Sequence, residues 1–394
     1  MKPIYVGVED KAVVNSEIYA GVDDIARKVS RMYIGDDTNI ARLCYDATRL
    51  VSTDEGTITH DFTGTLTKIN HRTYTEFADR LVLSGGIVSS STEYSDKIDI
   101  IDSSLTVTSL EMIMDAEKYN HCSCVIDDKY LAFFGGFKLN NSGETDYHKG
   151  LEIYDKAFTK VLQQSLFHIT GSAGGSIGKY GVFYSGVGKV NADTTQYLYD
   201  KMLCIDDDLT ITYKDITLKR SRAGAAFNKN KHILFAGGNS DAVMSEHCNH
   251  VEAFDTSLTR YEVADISSNC IDIKGANVGD YYLFGSPVLE SGYSKIVYVY
   301  DDSLTKRSNL ELHASKLCAV VGTGDEAVFA GGYSSGDSGS VTGYDTIEIF
   351  DTNLTKTSMK MTKNYGYAAK GAKIKDKIIM FFEHSLASEI LKLK

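Results

Sequence analysis

Residues 346–355 read TIEIFDTNLT, a short run of alternating apolar residues that ends in Asp-x-x-Leu-Thr. This ending, with Leu or Phe at its fourth position, occurs six times, and the copies begin at Asp102, Asp155, Asp206, Asp255, Asp301 and Asp351. Successive copies are 53, 51, 49, 46 and 50 residues apart. A period near 50 residues with several strands in each period is typical of β-propeller blades. The repeat therefore predicts an all-β propeller.

A second repeated signal, a pair of glycines after an apolar run, keeps the same spacing. It is seen at residues 85–86, 135–136, 237–238 and 331–332, and in degraded form at 185–186 and 285. Paired glycines let the backbone leave a buried strand with positive φ. A third strand precedes each repeated Asp, and we expect the Leu-Thr pair to open a fourth. Four strands in each period make one blade.

The strand before each glycine pair is rich in small residues, as in residues 171–175 (GSAGG) and 222–226 (RAGAA). The innermost strands of a propeller converge on its central channel, where bulky side chains would collide. The composition therefore predicts that the strands of each blade run in order from the channel to the rim.

The period, the paired glycines and the four-strand unit resemble those of kelch-repeat propellers, from about Thr57 to the C-terminus. Kelch repeats usually carry a Trp on the fourth strand, and this chain has no Trp. The resemblance implies a kelch-like architecture in which the loops after the glycine pairs share one face with the connections between blades.

The number of blades follows from the repeat count. Six full repeats run from about residue 71 to 361, and a further unit at residues 364–393 has three strands. Residues 61–67 (DFTGTLT) resemble its missing fourth strand. We therefore predict seven blades closed by N- and C-terminal strands, with no open edge at the closure. The predicted domains are a small β-repeat module at residues 1–50 and a propeller at 51–394.

Composition limits the classes of function. Seven cysteines without regular spacing argue against a disulfide framework and favour synthesis in a reducing cytoplasm. A net charge of −12 disfavours nonspecific nucleic-acid binding. The start of the chain does not resemble a signal peptide, and no run approaches the 18 apolar residues of a membrane span. We expect neither nucleic-acid partners nor membrane insertion.

The first 50 residues carry a shorter repeat with a period of 14, marked by Tyr5, Tyr19 and Tyr33 in the pattern Tyr-x-Gly. Each unit is predicted to form two very short strands around a turn rich in Asp and Asn. A unit of this size cannot bury a core alone, so its Tyr and Ile faces need stacked units or a partner. It is either an attachment module for a larger assembly or a small β-appendage packed on the propeller.

The N-terminal pattern resembles tandem repeats in structural proteins, such as tail or fibre proteins, of phages and prophages of Gram-positive bacteria. The resemblance covers about residues 3–45. It implies a virion protein assembled in the bacterial cytoplasm and present in multiple copies, with residues 1–50 docked on other virion proteins. A cytoplasmic bacterial protein fits the composition equally well.

Catalytic and metal-binding patterns are weak. The densest cluster of metal-binding residue types, His247-Cys248-Asn249-His250, has no partner at zinc-site spacing. Cys122 and Cys124 alternate along an inner strand and are interpreted as packing. The acidic runs at residues 36–39 and 206–208 lack the EF-hand pattern. We expect a noncatalytic protein with no metal and no cofactor.

The long polar loops after the glycine pairs are the predicted binding surface. They cover residues 87–96, 138–149, 239–249 and 333–345, and Tyr94, Tyr147, Tyr333 and Tyr344 lie in or beside them. Aromatic side chains there would stack on a host-surface glycan or anchor a neighbouring protein. Exposed Tyr is also common in a chain that contains 25 of them. The alternative function is a bacterial kelch-like interaction protein or a carbohydrate-active protein, including an enzyme.

Overall fold

The computed structural model describes most of the chain. The described residues are 19–22, 25–28, 31–35, 41–46, 49–52, 72–88, 94–111, 120–139, 145–189, 196–242, 245–315, 317–335, 341–365, 369–375, 377–382 and 387–392. Among these residues every regular element is a β-strand, and no helix long and apolar enough to cross a membrane occurs. The all-β prediction is confirmed.

The N-terminal repeat forms two hairpins. Strand β1 (Tyr19–Val22) pairs with β2 (Ile25–Lys28), and β3 (Arg31–Gly35) pairs with β4 (Ala41–Asp46), in both cases antiparallel. Each hairpin corresponds to one copy of the 14-residue repeat, as predicted. A fifth strand, β5 (Arg49–Ser52), follows and spans the predicted domain boundary between residues 50 and 51.

Six blades follow, each made from one continuous segment. The first three contain β6 (Thr73–Phe77), β7 (Arg80–Ser84), β8 (Lys97–Ile101) and β9 (Val107–Glu111); β10 (Cys122–Ile126), β11 (Tyr130–Phe134), β14 (Gly150–Asp155) and β15 (Lys160–Ser165); and β16 (Ala173–Ile177), β17 (Tyr180–Tyr184), β20 (Lys201–Ile205) and β21 (Ile211–Asp215). Two additional hairpins lie in the loops between second and third strands. In blade 2, β12 (Phe137–Leu139) pairs with β13 (Thr145–Tyr147), and in blade 3, β18 (Val187–Lys189) pairs with β19 (Gln196–Leu198).

The next three blades have the same construction. They contain β22 (Gly224–Phe227), β23 (His232–Ala236), β24 (Val251–Asp255) and β25 (Arg260–Glu262); β26 (Lys274–Val278), β27 (Tyr281–Gly285), β30 (Ile296–Asp301) and β31 (Leu310–Glu311); and β32 (Leu317–Gly322), β33 (Glu326–Ser335), β34 (Val341–Asp351) and β35 (Lys356–Tyr365). A loop hairpin of β28 (Val288–Leu289) and β29 (Gly292–Tyr293) belongs to the fifth blade. In all six blades neighbouring strands are antiparallel and follow chain order from channel to rim, as predicted.

A further four-stranded sheet combines the two ends of the chain. It contains β36 (Ala369–Ile374), β37 (Lys377–Phe382), β38 (Ala387–Lys392) and β5, in that order. An N-terminal strand pairs with the last strand of the chain, as predicted, but this strand is Arg49–Ser52 and not residues 61–67. Residues 61–67 lie outside the described residues.

Apolar clusters fill the spaces between successive sheets. Between blades 1 and 2, for example, Val82 and Ile100 pack against Leu131 and Phe133. The mixed sheet packs in the same way on two sides: its Ile378 and Met380 contact blade 6, and its β36 and β37 contact blade 1 through a separate cluster. Burying each such side chain contributes on the order of 1.5–3 kcal/mol. The core is thus divided into wedges between neighbouring sheets.

The repeated Asp-x-x-Leu-Thr segment forms a turn with a defined hydrogen-bonding pattern. In blade 4, Oδ1 of Asp255 accepts the amide hydrogens of Ser257 (2.8 Å) and Thr259 (2.9 Å). Leu258 is 5 % exposed with a φ of 59°, and it packs in the cluster shared with blade 3. The expectation that Leu opens the fourth strand was wrong, because Leu is the last residue of the turn and adopts the left-handed conformation. Its side chain anchors the turn to the preceding blade.

The glycine pairs adopt positive φ, as predicted. Gly237 and Gly238 have φ values of 63° and 111°, and a side chain at Gly238 would meet the backbone oxygen of Ser221 at 2.6 Å. Where the pair is degraded, Ser185 and Ser286 adopt the same left-handed conformation, with φ of 47° and 58°. The pair therefore marks a close approach between the end of a second strand and the connection from the preceding blade.

Candidate functional site

Two of the four predicted loop tyrosines are buried between neighbouring loops. Tyr94 is 4 % exposed, and its hydroxyl accepts a hydrogen bond from the amide of Leu139 in the next blade (3.0 Å). Tyr147 is 5 % exposed and packs with Val187 and Leu198 of the hairpin in blade 3. Neither ring presents an open face to solvent in this arrangement, so both tyrosines join adjacent loops into one surface.

Tyr344 and Tyr333 belong to the sixth blade. Tyr344 is half-buried on β34 and lies in register with Tyr365 of β35. Tyr333 lies on the extension of β33, paired with Gly343. The role of all four tyrosines in binding stays a prediction. Of the predicted anchoring residues, Tyr19 lies on β1 and Tyr33 on β3, whereas Tyr5 lies outside the described residues.

Side chains of the His247–His250 segment contact protein groups in the structure. His250 lies 3.1 Å from a carboxylate oxygen of Asp265, and the Asn249 amide donates to the backbone oxygen of Ile266. Cys248 is buried opposite Cys270. Across the described residues, the one group of three or more metal-binding side chains with clustered ligand atoms is residues 206–208. Residues 36–39 lie outside the described part of the chain.

Two lysines pair with two of the three carboxylates in the acidic cluster at residues 206–208. Lys129 pairs with Asp207 at 2.8 Å, and Lys179 pairs with Asp206 at 3.4 Å. Asp206 is in addition the repeated turn Asp of its blade, and it accepts hydrogen bonds from two backbone amides. These contacts hold the pKa values of Asp206 and Asp207 below their usual range. The cluster is accounted for by ion pairs and turn formation.

Cys122 and Cys124 lie in the packing between blades 2 and 3. Cys124 is 3 % exposed in the apolar cluster shared by these blades. Burial raises the pKa of Cys122 to about 12. A thiol with such a pKa stays protonated at neutral pH and is a poor nucleophile. The structure places both cysteines as the packing interpretation predicts.

The central channel is concave, and its wide end forms a cavity of about 850 Å³ lined by described residues. The first strands of the six blades line it together with β36 of the mixed sheet. Near the turn that follows each of these strands, the residue at the equivalent position lines the cavity, and in chain order these residues are Glu76, Val125, Ser176, Phe227, Asn277, Gly322 and Lys373. This set is called the lumen ring below. It lies at the end of the channel opposite the tyrosine-bearing loops.

Small residues further along the first strands are required by the approach of neighbouring backbones. A side chain at Gly275 would lie 2.1 Å from the backbone oxygen of Ala225 in the preceding blade, and one at Gly174 would lie 2.4 Å from that of Ser123. The crowding inferred from the sequence is thus present at these positions. Small side chains at these positions therefore let the first strands of neighbouring blades pack closely.

The narrow end of the channel is a smaller cavity of about 280 Å³. Its basic side chains are engaged with protein groups: Lys274 donates to the backbone oxygen of Cys318 (2.7 Å) and Lys370 to that of Arg72 (3.0 Å). Arg72 is itself buried against Asp99 at 2.5 Å. These contacts link the inner strands of neighbouring sheets, so this end of the channel is structural.

The electrostatics of the wide end centre on Glu76. Partial burial raises the pKa of the Glu76 carboxyl above its usual range, although nearby Lys373 opposes that effect. Asp79 and Asp128 at the mouth raise it further. These two aspartates have lysine partners, Lys375 for Asp79 and Lys229 for Asp128, whereas Glu76 has no hydrogen bond or ion pair with any described residue.

The lumen ring was missed at the level of sequence because each inner strand contributes a single member. The small residues predicted which strands face the channel, and alternation along a strand predicts which positions face it together. The signal that was available is a bulky or charged residue in an otherwise small strand, as at Glu76, Phe227 and Lys373. Sequence spacing alone does not reveal that these three residues line the same cavity.

The fold and the channel together define the class: a β-propeller with a ligand-sized cavity of mixed polar and apolar lining on its axis. No protein-family model and no curated protein matches the chain. Among solved structures, the chain is similar to that of YjhT, with 13% sequence identity, a TM-score of 0.56, and coverage of 76% of this chain and 100% of that chain. At this identity the similarity shows the propeller fold alone.

Proposed function

We propose that the chain is a noncatalytic structural or host-adsorption protein of a phage or prophage virion. In this proposal the N-terminal hairpins anchor it to the particle and the propeller binds a host-surface glycan or a neighbouring virion protein. The observation that carries the proposal is the position of the 14-residue repeat. Two consecutive hairpins directly precede β5, and β5 is the outermost strand of its sheet.

Because β5 is the outermost strand of its sheet, the N-terminal hairpins connect to the propeller at its rim. Within the described residues, β1 pairs only with β2 and β3 only with β4. Strand edges of the hairpins therefore remain for stacking on further units or on another chain. Several copies on one particle would convert weak contacts of individual propellers into strong attachment.

The proposal also includes the finer architecture, a ring of seven blades. The sheet of β36, β37, β38 and β5 packs on blade 6 through Ile378 and on blade 1 through Ile379. A sheet that contacts both neighbours in this way would serve as the closing blade. A closed ring leaves no sheet edge exposed at the joint and ties both chain ends into one rigid disc.

The direct test is mass spectrometry of density-purified particles from a lysate of the source strain. We expect the chain in stoichiometric amounts with the other particle proteins. A variant that lacks residues 1–47 keeps β5, and it should fold but fail to join particles. Its incorporation at the full-length level, or absence of the full-length chain from particles, would contradict the proposal.

The second candidate is a bacterial interaction or carbohydrate-active protein, including an enzyme. The channel cavity with its unpaired carboxylate favours it. Glycosidases of the common type use two carboxylates, and the other two acidic residues at this mouth are paired with lysines. This arrangement supports binding over hydrolysis. Glycan-cleavage assays and metal analysis of the purified chain separate the two candidates, since only the second predicts turnover or a bound metal.

A further inference from the structure

We propose that the wide end of the channel is a binding site for a single sugar unit, a neutral polyhydroxylated ring held across the lumen ring. This inference deepens the binding part of the proposed function. The inference rests on the proposed function only in one respect, which is that the ligand is a terminal sugar of a glycan. It does not depend on particle docking.

The first argument is the size and shape of the cavity. Its volume of about 850 Å³ lies within the range of about 300–1,000 Å³ that is usual for small-molecule sites. The lumen ring is uneven, because Ser176 is small whereas Glu76 in blade 1, Phe227 in blade 4 and Asn277 in blade 5 carry larger side chains that line the same cavity. A ring-shaped ligand in this cavity would contact these larger side chains together.

The second argument is the aromatic side chain in the lumen. Phe227 is 37 % exposed, and it lies beside Gly175 of blade 3, where a side chain would meet the ring at 2.9 Å. The other large apolar side chains with comparable exposure, Val161, Tyr213 and Tyr261, lie on outer strands. Phe227 instead exposes apolar area inside a cavity that is also lined by polar and charged side chains. The apolar face of a pyranose ring covers such a surface while its hydroxyls stay hydrogen-bonded.

The third argument is the set of unused polar groups. Neither the Glu76 carboxylate nor the Asn277 amide has a hydrogen bond with a described residue. The Ser176 hydroxyl donates to the backbone oxygen of Val125 (2.7 Å) and keeps its acceptor capacity. A carboxylate accepts from two neighbouring hydroxyls, and an amide both donates and accepts. Sugar hydroxyls meet these requirements together.

The fourth argument is charge balance, which favours a neutral ligand. Three carboxylates, from Glu76, Asp79 and Asp128, and three lysines line the cavity, and the lysines are Lys156, Lys229 and Lys373. An anion would meet the Glu76 carboxylate in the lumen, and a cation would meet Lys373 beside it. Because neither sign dominates, hydrogen bonding and the aromatic face determine which ligand fits.

The test is saturation-transfer NMR on the full chain with glucose, galactose, N-acetylglucosamine and rhamnose, each at about 10 mM, because single-sugar sites are commonly weak. We expect at least one sugar to bind. Phe227→Ala and Glu76→Gln should each weaken that binding about tenfold or more, the loss expected for one charged hydrogen bond or one aromatic contact. The matched controls Tyr261→Ala and Glu262→Gln, exposed on the outer strand of blade 4, should leave it unchanged.

Two results would overturn the inference: no saturation transfer to any of the four sugars, or binding that survives both lumen substitutions. The second result would place a sugar site elsewhere, such as on the loop face. If Phe227→Ala or Glu76→Gln fails to fold, as judged by its urea unfolding midpoint, Asn277→Ala is tested in its place. Presence in particles is measured separately, so a chain absent from virions that still binds sugar in the channel would refute the virion proposal alone.

Discussion

Arg220 and Glu252 face each other inside blade 4 with their side chains 0% and 1% exposed, and their closest charged atoms are 3.8 Å apart. Tyr184 of blade 3 completes the cluster, because its hydroxyl donates to Glu252 and accepts from Nε of Arg220 (3.1 Å). Burial and the adjacent carboxylate raise the pKa of Tyr184 well above its usual range. The cluster joins two neighbouring blades through polar contacts within an otherwise apolar wedge.

Removing one partner of this pair should be costly. Glu252→Ala leaves the Arg220 guanidinium buried without a counter-charge, and we expect the free energy of unfolding to fall by about 3–5 kcal/mol. The matched control is Glu311→Ala, which breaks the exposed pair with Lys295 (2.8 Å) and should cost less than about 1 kcal/mol. Urea unfolding followed by circular dichroism measures both. Equal losses in the two variants would show that burial of the pair does not matter.

The repeated turn Asp predicts sensitivity to acid. Burial raises the pKa of Asp301, but hydrogen bonds from Ser303 and Thr305 and the Arg307 guanidinium outweigh that effect and hold it below its usual range. Because the folded-state pKa is lowered, Asp301 stabilises the fold above the unfolded-state pKa. That contribution is lost as the pH falls through the folded-state value. Asp301→Asn should therefore destabilise the protein at pH 7 and have less effect near pH 3.

The size of this effect follows from the contacts. Asp301 accepts from the Ser303 hydroxyl (2.7 Å) and the Thr305 amide (2.9 Å), so we expect a loss of about 1–3 kcal/mol at neutral pH. Asp325→Asn, at an exposed carboxylate in another turn, is the control for net charge. Thermal melts of both variants across pH measure the difference. A loss at Asp301 that does not change with pH would contradict the ionic origin.

Crowding at the channel predicts a graded response to added methyl groups. Gly275→Ala places a side chain 2.1 Å from the backbone oxygen of Ala225 in the preceding blade, which cannot move without shifting its strand. At Gly371 the nearest atom is a methyl group of Val321 at 3.0 Å, which can rotate. We expect Gly275→Ala to cost about 1–3 kcal/mol or more and Gly371→Ala clearly less. Urea midpoints that rank the variants in the opposite order would contradict the packing seen at the channel.

The periodic parts of the fold were predictable because each blade packs against its neighbours through the same residue types at the same positions of the repeat. The Asp of the turn, the glycine pair and the small inner strand recur in register, and the structure has them where the period predicts. The conformation of Leu258 was not predictable from the pattern. A leucine after two turn residues suggests the start of a strand, and only the turn geometry shows that it adopts positive φ.

The single-copy features could not be read from the repeat. The repeat does not mark the N-terminal strand of the mixed sheet, because residues 61–67 carried the Leu-Thr signal while residues 49–52 formed the strand. The lumen ring depends on which residues from distant inner strands meet on the axis. Burial of Tyr94 and Tyr147 depends on contacts between loops of neighbouring blades, and no local pattern encodes such contacts.

Removal of strand β5 gives a testable prediction about the N-terminal part of the chain. A chain that begins at residue 48 keeps β5 and should match the thermal stability of the full-length protein. A chain that begins at residue 54 lacks β5, which exposes the hydrogen-bonding edge of β38 and one side of the last sheet. Unpaired edges promote association between chains, so the shorter form should melt at a lower temperature and aggregate.

The six-residue difference between these two chains isolates the strand from the hairpins. Differential scanning calorimetry and light scattering on both chains measure stability and association. A third chain that begins at residue 48 and carries Leu50→Pro tests the pairing itself, because proline cannot donate the backbone hydrogen bond and is poorly tolerated inside a sheet. Leu50 lies in register with Ile390 of β38. Equal melting temperatures for the chains that begin at residues 48 and 54 would show that β5 does not close the sheet.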